Sequence, residues 1–107
     1  AGRAFGRFLD RADLAADLDA YRFLVWRAAI LRDNHVRCSA EAAMAKLCAS
    51  RLANRAARAA VSILGQAAAS GASVAERLLR DARITEIYEG ATDIQRLVIA
   101  RGLMSPA

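Results

Sequence analysis

Proline occurs once in this chain of 107 residues, at Pro106, and runs of β-branched residues are missing. Nearly the whole length is therefore free of helix breakers, and the abundance of alanine favours helix throughout. The sequence predicts an all-α fold, an up-down four-helix-bundle-like domain. No apolar run approaches the ~20 residues that span a bilayer, and no signal peptide opens the chain, so a cytoplasmic protein with no membrane span is expected. The one histidine, His35, has no Cys, His or carboxylate cluster around it at ligand spacing. A surface-loop histidine and no metal are expected. Cysteine is equally sparse. A helix running through Cys38 and Cys48 would hold them ~15 Å apart, too far for a disulfide, so two free thiols are expected.

The formal charge is +5, a balance that can attract phosphates when the cations cluster. Here the arginines are spread from Arg3 to Arg101 and interleaved with Asp and Glu, with no aromatic residues among them to stack bases. No nucleic-acid partner is expected. The length fits a single domain, residues 1–107, with room for a core but near the small end for an enzyme that must hold a large cofactor.

From Asp10 or Asp13 to about Arg32, Leu14, Leu18, Tyr21, Val25 and Ala28 mark one helical stripe, and Phe23, Trp26 and Ile30 mark a second. A helix apolar on two sides is expected to be buried on two sides. Core packing then accounts for the aromatics. Asp33-Asn34-His35 reads as a turn. Ser39 is placed to cap the next helix, with Glu41 in its first turn, where a negative charge complements the helix dipole. That helix runs without a breaker to Leu64, about 26 residues and about 40 Å. Met44, Cys48, Leu52, Ala56, Ala59 or Ala60, and Ile63 form its inward stripe, while Arg51, Arg55 and Arg58 lie on another face and meet acidic groups or water. Ala67 to Ala72 reads as a soft connector. Ser73 and Glu76 have capping-box spacing and start a short helix through Arg83.

The densest pattern runs from Arg80 to Arg101. Thr92 and Gln95 again have capping-box spacing, so a helix begins just beyond Glu89. Ile94, Leu97, Val98 and Arg101 follow at i, i+3, i+4 and i+7, which predicts an aliphatic face turned inward, and Gly102 is placed to stop the helix. Arg80 and Asp81 read as framework for the turn. Glu89 is thereby held at a positive helix end.

This run resembles the C-terminal signature of the acyl-CoA dehydrogenase family, roughly Arg-Asp-Ala-x-Ile-x-x-Ile-Tyr-Glu-Gly-Thr-x-x-Ile-Gln-Arg, and nearly every fixed position stands here. The middle of the chain is similar to the family's Ala-x-x-Ala-Lys-x-x-Ala, followed by Ala-Val-Gln-Ile-x-Gly-Gly-x-Gly. In place of that Gln and those three glycines this chain has Ser62, Gly65, Gln66 and Ala68. Glycine matters in such a loop because a Cβ blocks backbone N–H groups from phosphate or forbids a positive φ. Near Phe5-Gly6, the family's flavin-contacting Arg corresponds to Gly2, with Arg3 beside it.

The resemblance implies the C-terminal helical domain of a longer flavoenzyme that dehydrogenates an acyl-CoA thioester between its α and β carbons. Glu89 would be the base that removes the α-proton while hydride leaves the β-carbon for the flavin, and Tyr88 and Gly90 would lie against the substrate. Gly65, Gln66, Ala91, Thr92 and Asp93 would face FAD, which other domains or a neighbouring subunit would hold in the main. Acyl-CoA, a homo- or hetero-oligomer (dimer or tetramer) and an electron acceptor such as an electron-transfer flavoprotein are the partners implied. The alternative is a non-catalytic helical subunit or interaction module derived from that domain. Independently of any family, a carboxylate can remove so weakly acidic a proton only where water is excluded, its own pKa is raised, and the developing enolate oxygen meets hydrogen-bond donors.

Overall fold

The computed structural model describes residues 2–65, 74–85 and 92–104. They form four helices, α1 (Gly2–Asp33), α2 (Ser39–Leu64), α3 (Val74–Thr85) and α4 (Thr92–Met104). The all-α fold expected from the missing proline stands. The soft connector expected at Ala67 to Ala72 lies outside the described residues.

α1 starts at Gly2, well before the start expected near Asp10 or Asp13. Gly2 and Gly6 each weaken a helix by about 1 kcal/mol, too little to stop one that nothing else interrupts. Its end is fixed by hydrogen bonds from Val36 N to Leu31 O (2.9 Å) and from His35 N to Arg32 O (3.0 Å). With His35 at φ 57, this is a Schellman motif with histidine in the left-handed position that glycine usually takes. His35 therefore closes a turn, as the sequence indicated. The next helix begins differently from the expectation: Cys38 stands at its N-cap without a side-chain capping bond, and Ser39 is already helical.

α2 ends at Leu64, as read from the sequence, and is the centre of the molecule. α1, α3 and α4 each pack against it, and among the described residues these three make no contact with one another. A helix with neighbours on three sides cannot have a single inward stripe. The residues it buries are Ala43, Ala45, Ser50, Leu52, Asn54 and Ala57, whereas Met44, Cys48, Ala56, Ala59, Ala60 and Ile63, expected inside with Leu52, are half-buried. Both cysteines are free thiols. Arg51, Arg55 and Arg58 are exposed as expected, and Arg55 meets Asp17 of α1.

The contact face of α1 is Leu14, Asp17, Tyr21, Leu24, Ala28 and Leu31, all half-buried at alternating spacings of three and four. Burial on a second side is not found among the described residues: Phe23, Trp26 and Ile30 are 64%, 52% and 59% exposed. Phe23 and Trp26 pack edge to face on each other, with ring centroids 5.3 Å apart. Of the first expected stripe, Leu14, Tyr21 and Ala28 face α2, but Leu18 and Val25 are exposed, and Leu24 and Leu31 stand in the contact face instead. The second stripe has no cover among the described residues, because α3 and α4 are themselves packed on α2.

α4 also presents a face other than the one expected. Thr92, Gln95, Val98 and Ile99 are half-buried, while Ile94 and Leu97 are exposed and only Val98 belongs to the predicted inward stripe. Gly102 explains the rotation. It does not stop the helix, which runs on to Met104, and a Cβ built on it would stand 2.6 Å from the Cβ of Ala40. Glycine here lets α4 lie directly on the start of α2. Replacing Gly102 with Ala would add about 1 kcal/mol of helix propensity, but the overpacking penalty of about 1–3 kcal/mol should outweigh it. Gly102→Ala is expected to lower the melting temperature. A rise would mean that α4 does not approach α2 at this point.

Candidate functional site

Of the residues implicated by the sequence, Tyr88, Glu89, Gly90, Ala91 and Gln66 lie outside the described residues, while Gly65, Thr92 and Asp93 lie within them. What is described is the frame on either side of Glu89, the last turn of α3 and the first turn of α4. Each is set on α2.

The last four carbonyls of a helix have no partner within it, and in α3 these belong to Ala82, Arg83, Ile84 and Thr85. Two side chains of α2 reach this end. The Asn54 amide donates to the carbonyls of Ser50 and Ala82, both at 2.9 Å, and the Lys46 ammonium donates to the carbonyl of Thr85 at 2.7 Å. The Thr85 hydroxyl donates back to Ala82 O at 2.6 Å. Asn54 is 2% exposed, and its Oδ1 accepts no hydrogen bond among the described residues. Lys46 is half-buried, and its charge sits where the helix dipole is negative. Both bonds link distant parts of the chain. They hold α3 antiparallel to α2, with Ala82 beside Asn54 and Thr85 beside Lys46.

Alanines at 53, 56, 57 and 60 of α2 face Ala75, Leu78 and Ala82 of α3 across an open apolar groove of about 410 Å³, with Asp81 and Thr85 at its polar edge. Arg80 and Asp81, read as framework, are both exposed.

At the start of α4, Asp93 complements the dipole and pairs with Arg96 at 3.0 Å. Its side chain is 88% exposed, so the pair contributes under about 1 kcal/mol. Thr92 is the first residue of the helix and half-buried. At the end of α2, Gly65 has φ 60 and ψ −130, a conformation closed to side-chain-bearing residues, and donates its N–H to Val61 O. Among the described residues, nothing lies within 4 Å of where its Cβ would be.

The remaining ion pairs lie away from this frame. Arg27 and Glu41 stand 3.8 Å apart between α1 and α2. The hydrogen bond to Asp17 raises the pKa of Arg55 above its ordinary value, opposed by desolvation and helped by the attraction of that carboxylate. The described residues contain no cluster of three or more His, Cys, Asp or Glu fit for a metal, and no helix long and apolar enough to cross a membrane.

The family model described as acyl-CoA dehydrogenase, C-terminal domain, matches residues 9–104. The chain belongs to the acyl-CoA dehydrogenase family. Among its relatives, the rat mitochondrial short-chain specific acyl-CoA dehydrogenase is 52% identical over 93 residues, 87% of this chain and 23% of that enzyme. The butyryl-CoA dehydrogenase of Megasphaera elsdenii superimposes with a TM-score of 0.86 at 35% identity, over 91% of this chain and 25% of that one. A chain from the structure reported for the electron transferring flavoprotein of Acidaminococcus fermentans superimposes with a TM-score of 0.87 at 39% identity, over 92% of this chain and 26% of that one. This acyl-CoA dehydrogenase domain thus spans about a quarter of the length of these relatives.

Within the domain, Lys46 and Asn54 are the residues that sequence reasoning missed. A signal was there. Asn54 stands four residues after Ser50 inside an alanine-rich helix, a place where an amide costs helix propensity and needs a partner elsewhere.

Proposed function

We propose that residues 1–107 are the C-terminal, base-bearing domain of a longer FAD enzyme that converts a saturated acyl-CoA thioester to its α,β-unsaturated form. The observation that carries this reading is the double attachment of the end of α3 to α2, four residues ahead of Glu89 in a motif shared with enzymes named acyl-CoA dehydrogenases. A base for so weak an acid needs a fixed origin, and α3 has one.

In this reading the Glu89 carboxylate takes the α-proton and becomes a carboxylic acid, and the electron pair released forms the α,β double bond as hydride departs from the β-carbon. Bound FAD would supply the two-electron acceptor for that hydride. The Glu89 backbone N–H would donate to the thioester oxygen as negative charge develops there, and Gly90 would leave room for the thioester beside the chain. Tyr88 packs against the substrate. Gly65 fits a turn facing the cofactor, because its backbone conformation excludes other residues and no described residue stands within 4 Å of its Cβ position. Thr92 and Asp93 would approach the flavin from the first turn of α4, with Gln66 and Ala91 beside them.

The exposed second stripe of α1 supports assembly as a dimer or tetramer, and electrons would pass to an acceptor such as an electron-transfer flavoprotein, named for one structural neighbour. A non-catalytic module is the weaker reading, since the relatives over this stretch are named as enzymes. The test uses the complete chain loaded with FAD and mixed anaerobically with butyryl-CoA and with longer saturated acyl-CoAs. Flavin bleaching with release of a 2-enoyl-CoA is expected. A flavin that stays oxidised with every chain length would overturn the reading.

A further inference from the structure

The two α2 side chains at the end of α3 are more than packing. Asn54 is buried and spends both amide hydrogens on carbonyls, one of its own helix and one of α3. Lys46 carries a long, entropically expensive side chain, yet its ammonium is fixed 2.7 Å from the last carbonyl of α3. Ala82 and Thr85 lie on successive turns of one helix, so the two bonds fix its rotation about its axis as well as its height along α2. One bond alone would leave α3 free to pivot.

We propose that Lys46, with Asn54 behind it, is a positioning residue for Glu89. The proposal rests on the reading of Glu89 as the base. Four residues separate Thr85 from Glu89, a reach of at most about 14 Å when extended. The end of α3 is therefore the nearest described support on the N-terminal side of the carboxylate. Proton abstraction needs the carboxylate oxygen in line with the α-carbon, and a misplacement of about 1 Å can lower the rate about 100-fold. Binding of the CoA portion makes no such demand on α3. Loss of the Lys46 bond should thus slow the chemical step and leave substrate affinity in place.

The experiment uses the full-length FAD enzyme with butyryl-CoA and reads single-turnover flavin reduction in a stopped-flow instrument. Lys46→Met keeps the stem and removes the donor, and Lys46→Arg restores a donor to the same carbonyl. Lys46→Met is expected to slow flavin reduction about 10- to 100-fold with KM changed less than about 3-fold, and Lys46→Arg to recover most of the rate. In a Glu89→Gln background, Lys46→Met should have no further effect, since a residue acting through the base has nothing left to act on. An equal loss in both backgrounds would make Lys46 a general stability residue and overturn the proposal. So would a wild-type rate in Lys46→Met. If Lys46→Met fails to fold, Lys46→Leu, which also removes the donor, replaces it in the same pair of backgrounds and is judged by the same two outcomes. Failure of the underlying reading looks different: the wild-type enzyme would not bleach, or Glu89→Gln would bleach as fast as wild type.

Discussion

Glu89→Gln in the complete FAD enzyme should slow flavin reduction by acyl-CoA by at least the 10²–10⁴-fold typical of a lost general base. Glutamine keeps the size of the side chain and its hydrogen-bonding capacity, so the change isolates the proton transfer from folding. The loss should sit at the upper end of that range, because proton and hydride leave together and hydride cannot depart from a substrate that keeps its α-proton. Acyl-CoA should still bind, since the proposed contact to the thioester oxygen at this position is made by the backbone N–H, which the substitution keeps. Stopped-flow absorbance of the flavin measures the first effect, and the spectral perturbation caused by ligand binding measures the second. A variant that bleaches at the wild-type rate would place the base on another residue and leave Glu89 as an acid that only flanks α4.

Asn54→Asp should be the most damaging single substitution for the fold, and its effect should depend on pH in a defined direction. The side chain is 2% exposed and faces the carbonyl oxygens of Ser50 and Ala82. An ionised carboxylate there would be buried against two acceptors, so the folded-state pKa of the new group is raised. In the unfolded chain it titrates near ~3.9. Below that value both states are protonated, the acid can still donate to one carbonyl, and the loss is about 1 kcal/mol. Above it the unfolded state ionises while the folded state stays protonated. Stability then falls by about 1.4 kcal/mol per pH unit until the raised pKa is passed, which amounts to about 3–4 kcal/mol by neutral pH. Urea unfolding from pH 4 to 8, variant against wild type, gives the difference directly. A difference that does not change with pH would show that the Asn54 amide does not face those carbonyls.

Element type and family were legible in the sequence because both rest on local pattern. With no proline before Pro106, abundant alanine and no runs of β-branched residues, helix was the favoured regular structure, and the end of α2 and the beginning of α4 followed from the residues at those ends. Which face of each helix turns inward was less legible, since periodicity cannot say how many neighbours a helix has. α2 has three, so its stripe was drawn too narrow. α1 has one, so its second stripe was expected to be covered within the chain. In α4 the larger side chains Ile94 and Leu97 drew attention away from Gly102, although a residue without a side chain was what oriented the helix. The site was legible at Glu89 through its motif. The supports of α3 were not, because Lys46 and Asn54 lie 39 and 28 residues before the carbonyls they meet, and no local spacing records such a bond.

The position of α2 between its three neighbours sets a limit on how the gene can vary in length. Along one helix, Ala40 meets Gly102, Glu41 meets Arg27, Lys46 and Asn54 meet α3, and Arg55 meets Asp17. One inserted or deleted residue within that span would turn everything beyond it by about 100° and shift it by about 1.5 Å. The contacts at one end would then be kept only by giving up those at the other. Insertions and deletions should accordingly be confined to the connectors, so that α2 acts as a ruler whose length is as constrained as its composition.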